Sequence, residues 1–122
     1  MSHLSFLQAA QARRSVYALN KTLPLPAAEV IGIVEHALLH SPSAFHSQSS
    51  RAVVLLGTEH DRLWQITTQT LQAAIAPEQQ AATAEKMARF QAAAGTVLFF
   101  EDQSIVQGLQ AKFPSYADNF PT

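Results

Sequence analysis

Cysteine is absent from the 122 residues. Disulfides, thiolate nucleophiles, iron–sulfur clusters and cysteine-ligated zinc are therefore excluded, and the absence suits a reducing compartment. Charge is scarce too. Asp, Glu, Lys and Arg make up 14% of the chain, against roughly 25% in an average globular protein. With a net charge of −1, there is no basic footprint for nucleic acid and no cationic stretch for an anionic membrane. No window approaches the roughly 18 apolar residues of a membrane helix, and no apolar run follows a basic start. Glycine occurs only at Gly32, Gly57, Gly95 and Gly108. Scattered in this way, the glycines form no phosphate-cradling loop, so neither a dinucleotide fingerprint nor a P-loop is supported. The expectation is a cytoplasmic protein with no nucleic-acid or membrane partner.

What the chain does have is apolar residues, at 48%, enough for a core in a single domain spanning residues 1–122. Periodicity predicts a helix over 3–13, with Ser2 as its cap. A second helix spans 26–40, opened by Pro26 and carrying a stripe of Val30, Ile33, Val34, Ala37 and Leu38. The β-branched and aliphatic run 52–56 reads as a buried strand. A helix capped by Thr58 follows, then another over 77–94 after the Ala76–Pro77 break. The run 96–100 is a second buried strand, and Asp102 caps a last helix through Ile105, Val106, Leu109 and Phe113. This order defines an α+β class, a central sheet flanked by helices. Both faces of the apolar strands should be covered. Two strands make a poor sheet by themselves, so the sheet is expected to need a second chain or further residues. Trp64, Phe90, Phe99, Phe100 and Phe113 read as core. Glu59, His60 and Asp61 read as a solvated helix start.

Two segments carry candidate chemistry. Arg13, Arg14 and Ser15 offer fork-shaped donors and a hydroxyl suited to a phosphate, or else are simply cations at a helix C-terminus; Tyr17 follows two residues later. The small-residue segment 41–51 lets a planar ligand approach the backbone, with His46, Gln48 and several hydroxyls as hydrogen-bonding groups. An ordinary turn is the alternative. His36 and His40 have metal-ligand spacing, but no third ligand accompanies them, so no metal site is expected.

Taken in order, Arg13-Arg14-Ser15, the segment Ser41-Pro42-Ser43-Ala44-Phe45-His46-Ser47-Gln48-Ser49, the run His60-Asp61-Arg62-Leu63-Trp64, the run from Gly95 to Asp102, and Phe113-Pro114-Ser115-Tyr116-Ala117 resemble the nitroreductase family. The fatty-acid-repression and copper-induced branch is the nearer match. The resemblance implies a layered α+β fold and an FMN-dependent oxidoreductase. NAD(P)H would be the electron donor, nitroaromatics or quinones the acceptors, and the cycle ping-pong. It implies a homodimer with flavin at the subunit boundary and no obligatory catalytic side chain. By motif, Arg13, Arg14 and Ser15 would reach the FMN phosphate and ribityl chain. Tyr17 stands where many relatives place a basic residue. Pro42, Ser43 and Ala44 would approach the ring of a flavin bound mainly by the other subunit. His46 replaces the usual Asn, Gln48 matches the usual Gln, and Lys86 would meet the ring edge. The family pattern continues past Thr122, so this chain corresponds to its N-terminal part. The competing expectation is a flavin-free, non-catalytic module that assembles by completing its sheet with another copy.

Overall fold

The computed structural model describes residues 4–120. Along them run α1 (Phe6–Ala12), α2 (Ala27–His40), β1 (Ser50–Leu56), α3 (Gly57–Ala74), α4 (Pro77–Gln91), β2 (Gly95–Glu101) and α5 (Gln103–Lys112), with short 3-10 turns at Ala44–His46 and Pro114–Asn119. The order matches the pattern of the sequence, and the class is α+β.

The two strands pair with each other, each along one edge. β1 and β2 pair antiparallel, from Ser50 opposite Glu101 to Leu56 opposite Gly95. The long helical passage between them is a hairpin of α3 and α4 that returns the chain alongside its start. The sheet is nonetheless not covered on both faces. Val53, Phe99 and Phe100 are exposed, Phe99 by 67%, so Phe99 and Phe100 are surface residues rather than core. The helices reach only part of so narrow a sheet.

The α3–α4 hairpin is held by stacking and by polar stitches. Trp64 stacks on Phe90 at 5.0 Å between ring centroids, and the Gln80 side-chain amide donates to the Gln72 carbonyl. Met87 is buried beneath. Pro77 occupies the first turn of α4, where its missing N–H costs nothing. Helix α3 starts two residues earlier than predicted. Leu56 is its N-cap and makes no side-chain cap bond, so Thr58 is not the cap. Gly57 takes φ +56° there, a left-handed turn that suits glycine as the strand passes into the helix.

In α2, Val30, Val34 and Leu38 are half-buried while Ile33 and Ala37 face outward. The stripe is therefore one row of i, i+4 spacing, narrower than the sequence suggested. Pro26 sits at the N-cap rather than in the first turn. Asp102 caps α5 by accepting from the Ser104 N–H. Helix α1 begins at Phe6. Ser5 accepts from the Gln8 N–H, and the Gln8 side chain accepts from the Ser5 N–H, a reciprocal capping box. The expected cap, Ser2, lies outside the described residues. Every residue of α1 is exposed.

Gly95 sets the close approach at the turn into β2. A Cβ there would lie 2.9 Å from the Leu55 carbonyl oxygen and 2.5 Å from a Leu56 methyl. The methyl can move; the backbone oxygen, locked in the ladder, cannot. Gly95→Ala should destabilise the chain by about 1–3 kcal/mol through this overpacking. Thermal unfolding checks it: the midpoint should fall by several degrees, whereas Gly108→Ala, with open space at its Cβ, should not lower it.

Candidate functional site

The segment between α2 and β1 forms a loop of unusual backbone. Phe45, His46 and Gln48 have φ of 53°, 54° and 53°. None is glycine, and bulky residues in this region are uncommon. The loop closes on itself through hydrogen bonds from His46 N–H to the Ser43 carbonyl and from Gln48 N–H to the Ser43 hydroxyl, 3.0 Å. Arg51 spans its exit, with Nη1 donating to the Gln48 carbonyl at 2.8 Å. Phe45 leaves the loop to stack on Phe113 at 4.4 Å.

This backbone presents Pro42, Ser43, His46 and Gln48 to a cleft of about 520 Å³, whose other walls are the end of α2 (Ala37, Leu38, Leu39), Ser50 and Phe99. One side is apolar; the rim carries hydroxyls, an imidazole and an amide. Such a site accepts a flat, partly apolar ligand with hydrogen-bonding edges. Ala44 lines a smaller adjoining cavity of about 180 Å³ with Pro42, Ser43, Ser49 and Glu101.

Lys86 and Tyr17 meet elsewhere, in a cleft of about 260 Å³ between the segment after α1 and helix α4, with Glu85, Arg89 and Phe90 around them. Arg89 is paired with Glu85; Lys86 has no ion pair among the described residues. Arg13, Arg14 and Ser15 lie exposed just after α1. Arg14 donates to the carbonyls of Gln11 and Arg13, and neither arginine has an acidic partner among the described residues. One chain thus gathers Pro42, Ser43, His46 and Gln48 in one place and Tyr17 with Lys86 in another, while the arginines line neither cleft. His36 and His40 stack at 4.3 Å, and no cluster of three metal-donor side chains occurs among the described residues.

The sequence missed His60. It is fully buried, not part of a solvated helix start. Nε2 lies 3.0 Å from the Gln91 carbonyl and Nδ1 2.9 Å from the Thr96 hydroxyl, and Trp64 donates to that hydroxyl. A carbonyl only accepts, so Nε2 carries the proton; in the neutral ring Nδ1 then accepts from Thr96. Lys21 donates to the same Gln91 carbonyl and to Asp61, tying the connector to α3 and α4. The overlooked signal is periodicity: positions 60, 64, 67, 68 and 71 continue the inner stripe of α3 one turn toward its start.

Glu101 accepts from the hydroxyls of Ser49 and Ser50, the second at 2.8 Å. These bonds, Ser49 first, hold its carboxyl below the ordinary glutamate range. The hydrogen bond from Lys21 does the same for Asp61, and that from Ser104 for Asp102.

An antiparallel strand pair backed by a helical hairpin, with an open cleft before the first strand, defines a layered α+β domain. The comparisons give the family. The nitroreductase family profile matches residues 10–118, and the chain belongs to that family. It is 32% identical over 120 residues to HBN1 and to the nitroreductase FRM2 of Saccharomyces cerevisiae, covering 97% of this chain and 59% of each relative. Nitroreductase CinD of Lactococcus lactis, solved with nicotinic acid, superposes with a TM-score of 0.81 at 42% identity, over 96% of this chain and 59% of that one. A nitroreductase from S. cerevisiae superposes at 0.75 and 32%, covering 92% and 61%. The chain spans about three fifths of the length of these relatives. No helix among the described residues is long and apolar enough to cross a membrane.

The three lowered carboxyls predict an acid limit. Each favours its ionised form in the fold, so its contribution is present above its unfolded pKa and lost as pH falls through the lower folded value. The melting midpoint should be level from pH 7 to about 5 and fall progressively below the ordinary carboxyl values of 4.5 and 3.8. Calorimetry across that range checks it.

Proposed function

We propose that this chain supplies part of an FMN-dependent NAD(P)H oxidoreductase of nitroreductase type, acting on nitroaromatics or quinones. The observation that carries the reading is the cleft before β1, in a chain of this family: an apolar wall on one side, and Ser43, His46 and Gln48 on the rim. The residues suit a flavin mononucleotide. Its ring is flat and apolar with polar edges, which matches the cleft, and its phosphate is an anion, which matches the guanidiniums of Arg13 and Arg14, neither of which has an acidic partner among the described residues. Lys86 is a free cation for the electron-rich edge of the ring. Bound FMN would supply the redox chemistry, taking two electrons from NAD(P)H and passing them to the acceptor. The protein's own part is to hold the phosphate with Arg13, Arg14 and Ser15, to line the ring with Pro42, Ser43, Ala44, His46 and Gln48, and to set a cation beside it with Lys86, next to the neutral hydroxyl of Tyr17.

Arg13 and Arg14 line a different part of the surface from the Pro42–Gln48 loop, which favours a homodimer in which the two sets come from different subunits. The exposed Val53, Phe99 and Phe100 give such a dimer apolar surface to bury. CinD has also been solved with 4-nitrophenol and with chloramphenicol, both nitroaromatic compounds of the class proposed here as acceptors.

Titration with FMN, followed by fluorescence quenching, tests the reading. Arg13→Ala should weaken FMN binding about tenfold or more, since a charge-assisted contact contributes about 1.5–3 kcal/mol, and should leave the melting midpoint unchanged. No quenching by the parent chain would exclude flavin binding by it; equal affinity in the variant would remove Arg13 from the site.

A further inference from the structure

The loop Ser43–Gln48 holds three left-handed residues, Phe45, His46 and Gln48, none of them glycine, and such residues are strained unless their surroundings over-determine them. Something must hold it. The loop leads directly into β1, and its exit is fastened to the end of β2. Ser50 stands opposite Glu101 in the ladder. The Glu101 carboxylate takes one hydroxyl on each oxygen, Ser49 on Oε2 and Ser50 on Oε1. Beyond it, the Asp102 N–H donates to the Ser49 carbonyl at 2.8 Å. Arg51 grips the Gln48 carbonyl with one nitrogen and Asp102 with another, at 3.3 Å. Ser49 itself is buried.

We infer that Glu101 is a positioning residue: its carboxylate latches Ser49 and Ser50 to the end of β2 and thereby keeps Phe45, His46 and Gln48 in their left-handed conformation, with the loop shaped in advance for a flat ligand. The ligand class rests on the flavin reading above; the latch does not. In the latch Glu101 acts through the two serines. A carboxylate makes the strongest latch because both oxygens accept charge-assisted bonds. The amide of Gln offers one acceptor and one donor, so one hydroxyl must turn round to accept and both bonds become neutral and weaker. A loop ordered before binding loses less entropy when the ligand arrives, so affinity falls when the latch is removed.

The experiment is nuclear magnetic resonance on the full chain without ligand, followed by FMN titration. Residues with positive φ show strong intraresidue amide-to-Hα cross-peaks. The parent should show them at Phe45, His46 and Gln48. In Glu101→Gln they should weaken together, while amide protection along Val53–Val54 and Val97–Leu98 persists, and FMN affinity should drop about tenfold. Ser50→Ala, an exposed change that removes one of the two donors, should give the same loss in smaller measure. It serves as the deciding variant if Glu101→Gln does not fold. Retention of all three cross-peaks in either folded variant overturns the latch, and would mean that the bonds from Ser43 and Arg51 and the Phe45–Phe113 stack set the loop without it. If the cross-peaks weaken but the parent does not quench FMN, the latch stands and the flavin reading falls.

Discussion

The register of β1 against β2 is the constraint on which the other parts depend. Because Ser50 faces Glu101 and Leu56 faces Gly95, one end of the ladder meets the loop that shapes the cleft, and the other meets the helical hairpin. A slip of one residue would turn every side chain to the opposite face. Two features oppose such a slip. At one end the Glu101 carboxylate fits two neighbouring hydroxyls. At the other, only glycine tolerates the approach of the Leu55 carbonyl.

Helices and strands were legible because the chain punctuates them chemically. Pro26, Pro77 and Pro114 open elements, Asp102 caps one, and the two aliphatic runs are bounded by a serine-rich loop, glycines and Asp102. Coverage was less legible. Phe99 and Phe100 look like core by composition, yet a two-stranded sheet flanked in part by helices leaves them in solvent. His60 looked solvated because its neighbours Glu59 and Asp61 are charged; its burial depends on the Gln91 carbonyl and Thr96, partners more than thirty residues away. The left-handed loop had no warning in residue type, since glycine and asparagine, which usually announce it, are missing there. Of the candidate site, the segment 41–51 was visible as small and polar; that its residues share a cleft with the end of α2 was not.

The site reading joins surfaces that one chain keeps apart. Cations lie near α1 and on α4, a neutral rim lies before β1, and the exposed Phe99 of β2 borders that rim. In a chain with so few charges, Arg13, Arg14 and Lys86 stand without ion pairs among the described residues. Cations without an ion-pair partner keep most of their attraction for an anion, and beside Lys86 the one carboxylate lining the same cleft, Glu85, is taken by Arg89.

The α3–α4 hairpin also governs how the ladder can come together. Strands far apart in sequence ordinarily require closure of a long flexible loop, and that cost delays pairing. Here the intervening residues 57–94 are two antiparallel helices joined by a tight break at Ile75–Ala76, drawn together by Trp64 on Phe90 and by Gln80 on Gln72. Once these short-range contacts exist, Leu56 and Gly95 are already neighbours, and pairing proceeds from that end like a zip toward Ser50 and Glu101. The Glu101 latch then fastens the end of the ladder that lies farthest from the hairpin.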